Sequence, residues 1–259
     1  MADYLTDLFG LQGKVAALTG AGGFLLSEMS RGLSKAGVRV ALLDKNREAV
    51  EKVRQEIESE GGQAMVFDVD VTQKGDFQKA LEAILGEFGA LDFAVFGSNL
   101  NASTPFLDIP SEEWDAILDV QLKGTMFGLQ VFGGHMLSQG KGSMVTISSA
   151  SAGPPLSRAF TYSVAKAGVK NLTHNVAREW ATKGVRVNAL RPGFFPTEWS
   201  KTHFIDKDRE KAILGHTAMH RYGEPKELLG AVLWLFSDAA SFVTGAEIAV
   251  DGGFSAMTI

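Results

Sequence analysis

The sequence predicts a single α/β domain over residues 1–259, built on a doubly wound parallel sheet of about seven strands with helices on both faces. Three observations lead to this fold class. Short apolar runs alternate with segments of helical periodicity, no break in composition divides the chain, and 45% of the residues are apolar, enough for a sizeable core. Strands that alternate with helices require right-handed crossovers and therefore a parallel sheet.

The seven predicted strands are, in order, "KVAALT", "VRVALL", "AMVFDV", "LDFAVF", "GSMVTISS", "VRVNAL" and "AEIAVD". Segments such as "NREAVEKVRQEIESEGG" lie between them, with apolar residues at helical spacing and a terminal glycine. In such a sheet, ligands bind outside the carboxyl ends of the strands. One polar stretch near 194–224 interrupts the alternation of strands and helices. We interpret it as a substrate lid; the alternative is an ordinary solvent-exposed surface segment.

Composition narrows the classes of function. The net charge of −5 and the pI of about 5.6 give no electrostatic support for a nucleic-acid or anionic-membrane partner. The absence of cysteine removes disulfides and cysteine-based metal sites. The first residues, "MADYLTDLFGLQGK", lack a secretory pattern, and no apolar run approaches the length of a membrane span. We expect a soluble, cytoplasmic protein.

A glycine-rich turn, "TGAGGFLLSEM", follows the first predicted strand and leads into a helix. Glycines allow close backbone approach to a pyrophosphate, and the N–H groups at the helix start donate hydrogen bonds to it. The candidate contacts are Gly20, Gly22, Gly23, Phe24 and Leu25. Leu26 stands where a later glycine usually lets helix and strand pack closely, so we expect the helix to be pushed out slightly. A plain β–α connection is the alternative.

The second predicted strand ends in Asp44. A carboxylate at this position accepts hydrogen bonds from a ribose 2′-hydroxyl and repels a 2′-phosphate, so it predicts a preference for NAD(H) over NADP(H). Lys45 and Arg47 follow at once and soften that preference, which leaves NADP(H) open. The alternative role of Asp44 is that of a helix N-cap.

The strongest constellation lies in "SSASAGPPLSRAFTYSVAKAG". Tyr162 and Lys166 are one helical turn apart, and Ser149 lies at the end of the preceding strand. Transfer of a hydride to a carbonyl leaves an alkoxide that needs a proton. A phenol supplies it if a nearby ammonium and a positive nicotinamide lower its pKa, while the serine hydroxyl holds the carbonyl oxygen.

With these motifs the sequence resembles the short-chain dehydrogenase/reductase family over nearly the whole chain. The segments "TGAGG", "DVT", "ISS", "RPGFFPT" and "VTGAEIAVDGGFS" carry the resemblance, together with Tyr162 and Lys166. It implies a Rossmann-type fold and catalysis by Ser149, Tyr162 and Lys166. It also implies cofactor contacts at Asp70, Val71, Tyr162, Lys166, Pro192, Gly193 and Thr197. Within the family, "TGAGGFL", "PGFFPT" and "DGGFSA" resemble fructuronate reductase and mannonate oxidoreductase-like sugar-acid dehydrogenases.

Two further departures from the family pattern lie near the site. The fourth strand runs into Phe96, Gly97, Ser98 and Asn99 in place of an Asn-Asn-Ala-Gly motif, and Asn99 or Asn101 is expected to supply part of the lost hydrogen bonding. Gln121 replaces the asparagine that seats a relay water, and it offers the same groups one methylene further out.

The leading hypothesis is an NAD-dependent oxidoreductase of a secondary alcohol or ketone, a sugar acid or polyol. The alternative is a nucleotide-binding, catalytically weak or inactive paralogue that acts as a sensor or partner subunit.

The substrate side is expected to involve Arg158, which precedes Tyr162 by one helical turn and suits a substrate carboxylate. A solvated surface role is the alternative. His216 and His220 are four residues apart, but no third ligand accompanies them, so we predict no metal site.

The helices over 111–137 and 161–183 have apolar faces. In relatives such helices pair across two-fold axes, so the resemblance implies a homotetramer, with a dimer as the fallback.

Overall fold

The computed structural model describes residues 4–203 and 205–258, with the side chains of Glu198, Trp199 and His203 left undescribed. Phe204, within the predicted lid, lies outside the described residues, as do the two chain ends of the predicted domain, 1–3 and 259. The seven predicted strands are present. They are β1 (Val15–Thr19), β2 (Arg39–Asp44), β3 (Ala64–Asp68), β4 (Phe93–Phe96), β5 (Gly142–Ile147), β6 (Val185–Pro192) and β7 (Glu247–Val250).

All seven strands form one parallel sheet in the order β3-β2-β1-β4-β5-β6-β7. The chain therefore winds outward from β1 in one direction and then from β4 in the other, which is the predicted doubly wound arrangement. The point where the direction reverses lies between β1 and β4. The glycine turn after β1 and the altered loop after β4 meet there.

Ten helices lie in the described part of the chain. They are α1 (Tyr4–Phe9), α2 (Phe24–Lys35), α3 (Arg47–Ser59), α4 (Lys74–Phe88), α5 (Ser111–Leu118), α6 (Gly124–Gln139), α7 (Phe160–Trp180), α8 (Glu198–His203), α9 (Lys207–His216) and α10 (Leu229–Phe236). A π turn over Asp119–Lys123 joins α5 to α6 without a break, so the predicted helix over 111–137 is continuous but locally widened. None of these helices is long and apolar enough to span a membrane.

The sheet separates two apolar cores, because successive strand residues point to opposite faces. In β1, Ala16 and Leu18 pack with α2, α3 and α10, whereas Val15 and Ala17 pack with α4, α6 and α7. Helices therefore cover both faces, as predicted. The segment predicted as a lid contains the short helices α8 and α9, beside the carboxyl end of β6.

Candidate functional site

The glycine turn has the geometry of a phosphate cradle. Gly20 adopts a left-handed φ of +71°, and a Cβ placed there would lie 2.9 Å from the Cα of Ser98. Gly23 is the N-cap of α2, and no side chain caps the helix. The N–H groups of the first turn have no intrahelical acceptor, so they are suited to bind an anion. The turn therefore fits a dinucleotide pyrophosphate.

Leu26 does not close this cradle. Its side chain is buried and occupies the space beside Gly97, where a Cβ would come within 2.5 Å of Leu26 Cδ2. A large residue on α2 is thus matched by the absence of a side chain after β4. The two departures from the family pattern compensate each other, although they are far apart in the sequence.

The loop after β4 is held differently from the prediction. Asn99 and Asn101 are exposed, and the hydrogen bond at the strand end is made by Thr19 Oγ1, which accepts from Gly97 N–H at 3.1 Å. Phe96 points into the core, where Gly128 of α6 leaves room for its ring. The expected substitution by Asn99 or Asn101 was therefore wrong, because the hydroxyl of Thr19 already lies at the end of the neighbouring strand.

Asp44 lies directly against the glycine turn. Its Oδ2 accepts a hydrogen bond from Gly22 N–H at 3.0 Å, and its Oδ1 accepts one from Asn46 N–H at 2.9 Å. The N-cap of α3 is Asn46, whose side chain accepts from Ala49 N–H. The N-cap alternative for Asp44 is therefore wrong, and its carboxylate is fixed beside the turn by backbone donors.

The "DVT" segment follows β3 at the same edge of the sheet. Asp70 Oδ1 accepts from the N–H and the hydroxyl of Thr72, and these bonds lower the pKa of the Asp70 carboxyl, with a smaller contribution from the charge of Lys45. Val71 is buried against Gly124 at the start of α6. Lys45 therefore has a carboxylate neighbour in the protein itself.

Ser149, Tyr162 and Lys166 come together at the carboxyl end of β5. The Ser149 hydroxyl acts on the Tyr162 phenol and opposes the rise of its pKa, and Lys166 Nζ lies 5.6 Å from the centre of the Tyr162 ring. Lys166 is 3% exposed, and its Nζ donates to the carbonyl of Ile147 at 2.9 Å. The predicted hydroxyl, phenol and amine therefore share one site.

The electrostatics of this site favour neutral groups. Burial raises the pKa of Tyr162, and the hydrogen bond with Ser149 offsets only part of that effect. Burial lowers the pKa of Lys166 to about 7. The protein alone therefore does not supply the lowered phenol pKa that the sequence led us to expect, because desolvation disfavours the charged forms of both groups.

Gln121 lies in the π turn between α5 and α6, which places its side chain inside the protein. It is 1% exposed; its Nε2 donates to the carbonyl of Leu100, while its Oε1 is buried without a hydrogen-bond partner. A buried acceptor with no partner is costly, so this atom is suited to bind a water molecule or another donor.

The "RPGFFPT" segment leaves β6 at Pro192. Gly193 N–H donates to Val250 O at 3.0 Å, and a Cβ on Gly193 would lie 2.7 Å from the Cα of Asp251. Thr197 Oγ1 accepts from Ser200 N–H and caps the start of α8. These residues therefore fix the route of the chain from β6 into α8.

Arg158 is half-exposed and contacts Asp206 in the 194–224 segment. Its Nη2 is 3.1 Å from Asp206 Oδ2, and its φ of +59° is rare for a residue with a side chain. Arg209 of α9 donates to the hydroxyl and the carbonyl of Ser157, and its N–H donates to Asp206 Oδ1. We call Asp206, Arg158, Arg209 and Ser157 the outer ion cluster. The sequence places Asp206 and Arg209 among the charged residues of the 194–224 stretch, but no periodic pattern pairs them with Arg158 and Ser157, which lie 48 and 52 positions away.

His216 and His220 make separate contacts. His216 packs edge-on against the ring of Phe254, and His220 Nδ1 is 3.0 Å from the carbonyl of Leu214. Within residues 4–203 and 205–258, no group of three or more His, Cys, Asp or Glu side chains is placed to hold a metal ion.

Comparison with known proteins identifies relatives along nearly the whole chain. A family model described as "Enoyl-(Acyl carrier protein) reductase" matches residues 27–255. The chain is 35% identical to "Uncharacterized oxidoreductase UxuB" of Bacillus subtilis, over 95% of this chain and 96% of the relative. It is 30% identical to gluconate 5-dehydrogenase of Gluconobacter oxydans, over 96% and 97%.

Two solved structures have the same fold. A gluconate 5-dehydrogenase from Burkholderia cenocepacia in complex with NADP and tartrate superposes with a TM-score of 0.93 at 28% identity, over 98% of this chain and all of that one. A protein from Haemophilus influenza, assigned as a D-mannonate oxidoreductase and carrying bound NAD, gives 0.91 at 32% identity, over 96% and 97%.

Proposed function

The chain belongs to the short-chain dehydrogenase/reductase family, several of whose named relatives are dehydrogenases or reductases of sugar acids and polyols, and within it we propose an NAD(H)-preferring dehydrogenase of a sugar acid or polyol. The observation that carries the proposal is the meeting of Ser149, Tyr162 and Lys166 at one end of β5, beside a glycine cradle. When bound, the nicotinamide supplies or accepts the hydride.

The cofactor preference rests on Asp44. Two backbone N–H groups hold its carboxylate against the turn, where it suits a ribose diol and repels a 2′-phosphate. The charge of Lys45 acts on Asp70 and that of Arg47 on Glu51, so both cations have carboxylate neighbours. Related structures carry NADP or NAD, and the position of Asp44 is our reason to favour NAD(H). The proposed contacts along the cofactor are Gly20, Gly22, Gly23, Phe24, Leu25, Asp44, Asp70, Val71, Tyr162, Lys166, Pro192, Gly193 and Thr197.

We propose that Tyr162 moves the proton at the reacting oxygen. Its phenol donates a proton in ketone reduction and its phenolate accepts one in alcohol oxidation, and Ser149 holds the same oxygen by a second hydrogen bond. Lys166 holds its amine near the phenol, with Ile147 O as its anchor. Gln121 offers its unpaired Oε1 to a relay water.

The site requires added positive charge to form the phenolate. Burial favours the neutral phenol, so oxidation of an alcohol depends on charges that oppose this effect. Protonated Lys166 is one such charge, and its pKa of about 7 makes that charge sensitive to pH near neutrality. We therefore expect the oxidation rate to depend on opposing titrations of Tyr162 and Lys166, with an optimum above neutral pH.

The substrate class rests on the outer ion cluster and on the relatives. One carboxylate, Asp206, faces the guanidinium of Arg158 and the N–H of Arg209, so the cluster has an excess of positive charge. We propose that Arg158 receives the carboxylate of a sugar acid, with residues 194–224 as the lid. Gluconate is named for the Gluconobacter relative and the Burkholderia structure, and mannonate for the Haemophilus structure.

The first test is a fluorescence titration with NADH and, in parallel, NADPH. Micromolar binding of NADH with at least tenfold weaker binding of NADPH is the expected result, because a tenfold difference corresponds to about 1.4 kcal/mol of repulsion between the half-buried Asp44 carboxylate and a 2′-phosphate. Asp44→Ala reduces that difference. Equal or tighter binding of NADPH by the wild type would show that Lys45 and Arg47 outweigh Asp44.

The second test is turnover on a panel of keto sugar acids and polyols. Tyr162→Phe is expected to lower kcat by about 10³-fold or more, since the phenol moves the proton, while the Kd for NADH stays within twofold, since Tyr162 is one of many proposed cofactor contacts. Tyr4→Phe, an exposed tyrosine on α1, is the matched control. Retained turnover in Tyr162→Phe would remove the phenol from its proposed role.

The alternative of an inactive sensor or partner subunit is not favoured, because the three catalytic groups are together and the unusual residues Leu26 and Phe96 are accommodated. We further propose that the enzyme works in the cytoplasm as a homotetramer, or else as a dimer. Sedimentation of the full chain measures the oligomeric state directly.

A further inference from the structure

Glu247, the first residue of β7, is the centre of a second group of charges. Its carboxylate is 9% exposed and has three partners. Oε1 accepts from Ser148 Oγ at 2.9 Å, and Oε2 lies 3.0 Å from both Lys170 Nζ and Arg191 Nη1. We call Glu247, Lys170, Arg191 and Ser148 the inner ion cluster.

Each partner of Glu247 is adjacent to a proposed site residue. Ser148 directly precedes Ser149 at the end of β5. Arg191 directly precedes Pro192 at the end of β6, and Lys170 follows Lys166 by one turn on α7. One carboxylate from the edge strand therefore ties together the three elements that carry the hydroxyl, the amine and the nicotinamide segment.

The backbone strengthens this connection. Ser148 N–H donates to Leu190 O at 2.8 Å, and Lys166 is anchored to Ile147 O, so the ends of β5 and β6 and the helix already meet. The Glu247 carboxylate adds contacts on the same side of the sheet. Arg191 also acts on the carboxylate of Asp251, just beyond β7, which balances part of the positive charge.

Fold stability alone gives little reason for such a cluster. Well-packed apolar side chains often stabilise a buried position as well as an ion pair does, whereas a charged network allows only one arrangement of its members. A fixed arrangement is what the site needs, because an error of about 1 Å in the position of a reacting group costs about 10²-fold in rate.

We propose that Glu247 is a positioning residue for the reaction, acting through Ser148, Lys170 and Arg191 to fix the distances among Ser149, Lys166 and Pro192. This inference rests on the proposed function. In the assembled site, Glu247 touches neither substrate nor cofactor; its effect is on the alignment of the groups that do.

The test compares wild type with Glu247→Gln, Ser148→Ala and the double variant. Glu247→Gln keeps an acceptor for Ser148 but leaves two cations without their carboxylate. The expected result is a fall in kcat of about 10- to 100-fold with the Kd for NADH within twofold. The effects of the two single substitutions are expected to be non-additive, since both act through one hydrogen bond.

Hydrogen exchange supplies a readout that needs no turnover. In Glu247→Gln, amide exchange is expected to accelerate together in the peptides over 146–152, 160–171 and 189–194. Asp92→Asn is the matched control, because Asp92 is a largely buried carboxylate that accepts from Val15 N–H and pairs with Lys14 at the amino ends of the central strands β1 and β4. It is expected to lower Tm without changing kcat or exchange in these three peptides.

Three results would overturn the proposal: an unchanged kcat in Glu247→Gln, faster exchange confined to β7, or an equal loss of kcat in Asp92→Asn. If the wild type turns over no member of the panel, the proposed function fails in the wild type itself. The exchange experiment then still decides whether Glu247 couples the three segments.

Discussion

The inner and outer ion clusters have the same composition, one carboxylate, two basic residues and one serine, but they differ in burial. Glu247 in the inner cluster is 9% exposed, whereas the side chain of Asp206 in the outer cluster is 53% exposed. In a buried cluster the loss of one partner leaves an unsolvated charge, while water and salt replace a lost partner at the surface. The same chemistry therefore gives rigidity beneath the site and adaptability at its rim.

The difference in burial matches the proposed role of each ion cluster. The inner cluster lies between elements that must keep sub-ångström distances for proton and hydride transfer. The outer cluster joins the loop before Tyr162 to helix α9, which lies in the segment that we propose as the lid. Burial and the charge of Arg158 hold the pKa of Arg209 below its usual value, and the charge of Asp206 opposes part of this effect. Binding of an additional anion beside the two arginines is therefore favourable.

The largest effect on stability is expected when the carboxylate of the inner cluster is removed while its two cations remain. Glu247→Leu leaves Lys170 and Arg191 without their carboxylate, and the free energy of unfolding is expected to fall by up to about 3 kcal/mol, because both cations keep part of their contact with water. Denaturant unfolding monitored by circular dichroism measures this loss. A triple variant with Lys170→Met and Arg191→Met recovers most of the stability, but not kcat.

Recovery of both stability and kcat in the triple variant would contradict a positioning role and would leave the inner cluster as packing alone. A destabilisation as small as that of a surface ion pair would remove the distinction between the two clusters.

The second effect concerns the buried amine beside the inner cluster. The pKa of Lys166 is about 7 in the folded protein and 10.5 when unfolded, so between these pH values the unfolded chain binds more protons. Stability then rises with pH, by about 2 kcal/mol from pH 7 to 9 for this group. Lys166→Met is expected to lack this rise.

The measurement is the difference in unfolding free energy between wild type and Lys166→Met across that range. Lys52, at the surface of α3, provides the control substitution Lys52→Met, for which the difference stays flat. A wild-type stability that falls with pH relative to Lys166→Met would show that the amine is held protonated.

The two clusters also show how far the sequence predicts this molecule. The seven strands follow from apolar runs, and Ser149, Tyr162 and Lys166 follow from local spacing that helix geometry turns into proximity. The bond between Ser148 and Glu247 spans 99 positions and that between Arg158 and Asp206 spans 48, and no periodic pattern relates such residues. The fit of Leu26 beside Gly97 is equally non-local. The direction of the Tyr162 pKa depends on burial, which only the packed structure defines.

A third and smaller effect is expected at the rim. Arg158→Leu removes a half-exposed guanidinium, and KM for a keto sugar acid is expected to rise about 10- to 30-fold while KM for a neutral polyol changes less than twofold. Steady-state kinetics with each substrate measures the two KM values separately. Arg54→Leu, an ion-paired arginine on α3, is the matched control. Equal effects on acid and polyol would show that Arg158 supports the loop and does not receive the carboxylate.

The smallest effect is expected from Asp206, and its sign is the informative part. If Asp206 occupies the place on Arg158 that a substrate carboxylate takes, then Asp206→Asn releases the guanidinium and KM for a keto sugar acid falls about two- to threefold at low salt. The change disappears at about 0.5 M salt, because exposed charges are screened at that ionic strength. The Tm is expected to shift by less than about 2 °C. A KM that rises would mean that Asp206 holds Arg158 in its left-handed conformation for the substrate, and the outer cluster would then position a binding group much as the inner one positions the reacting groups.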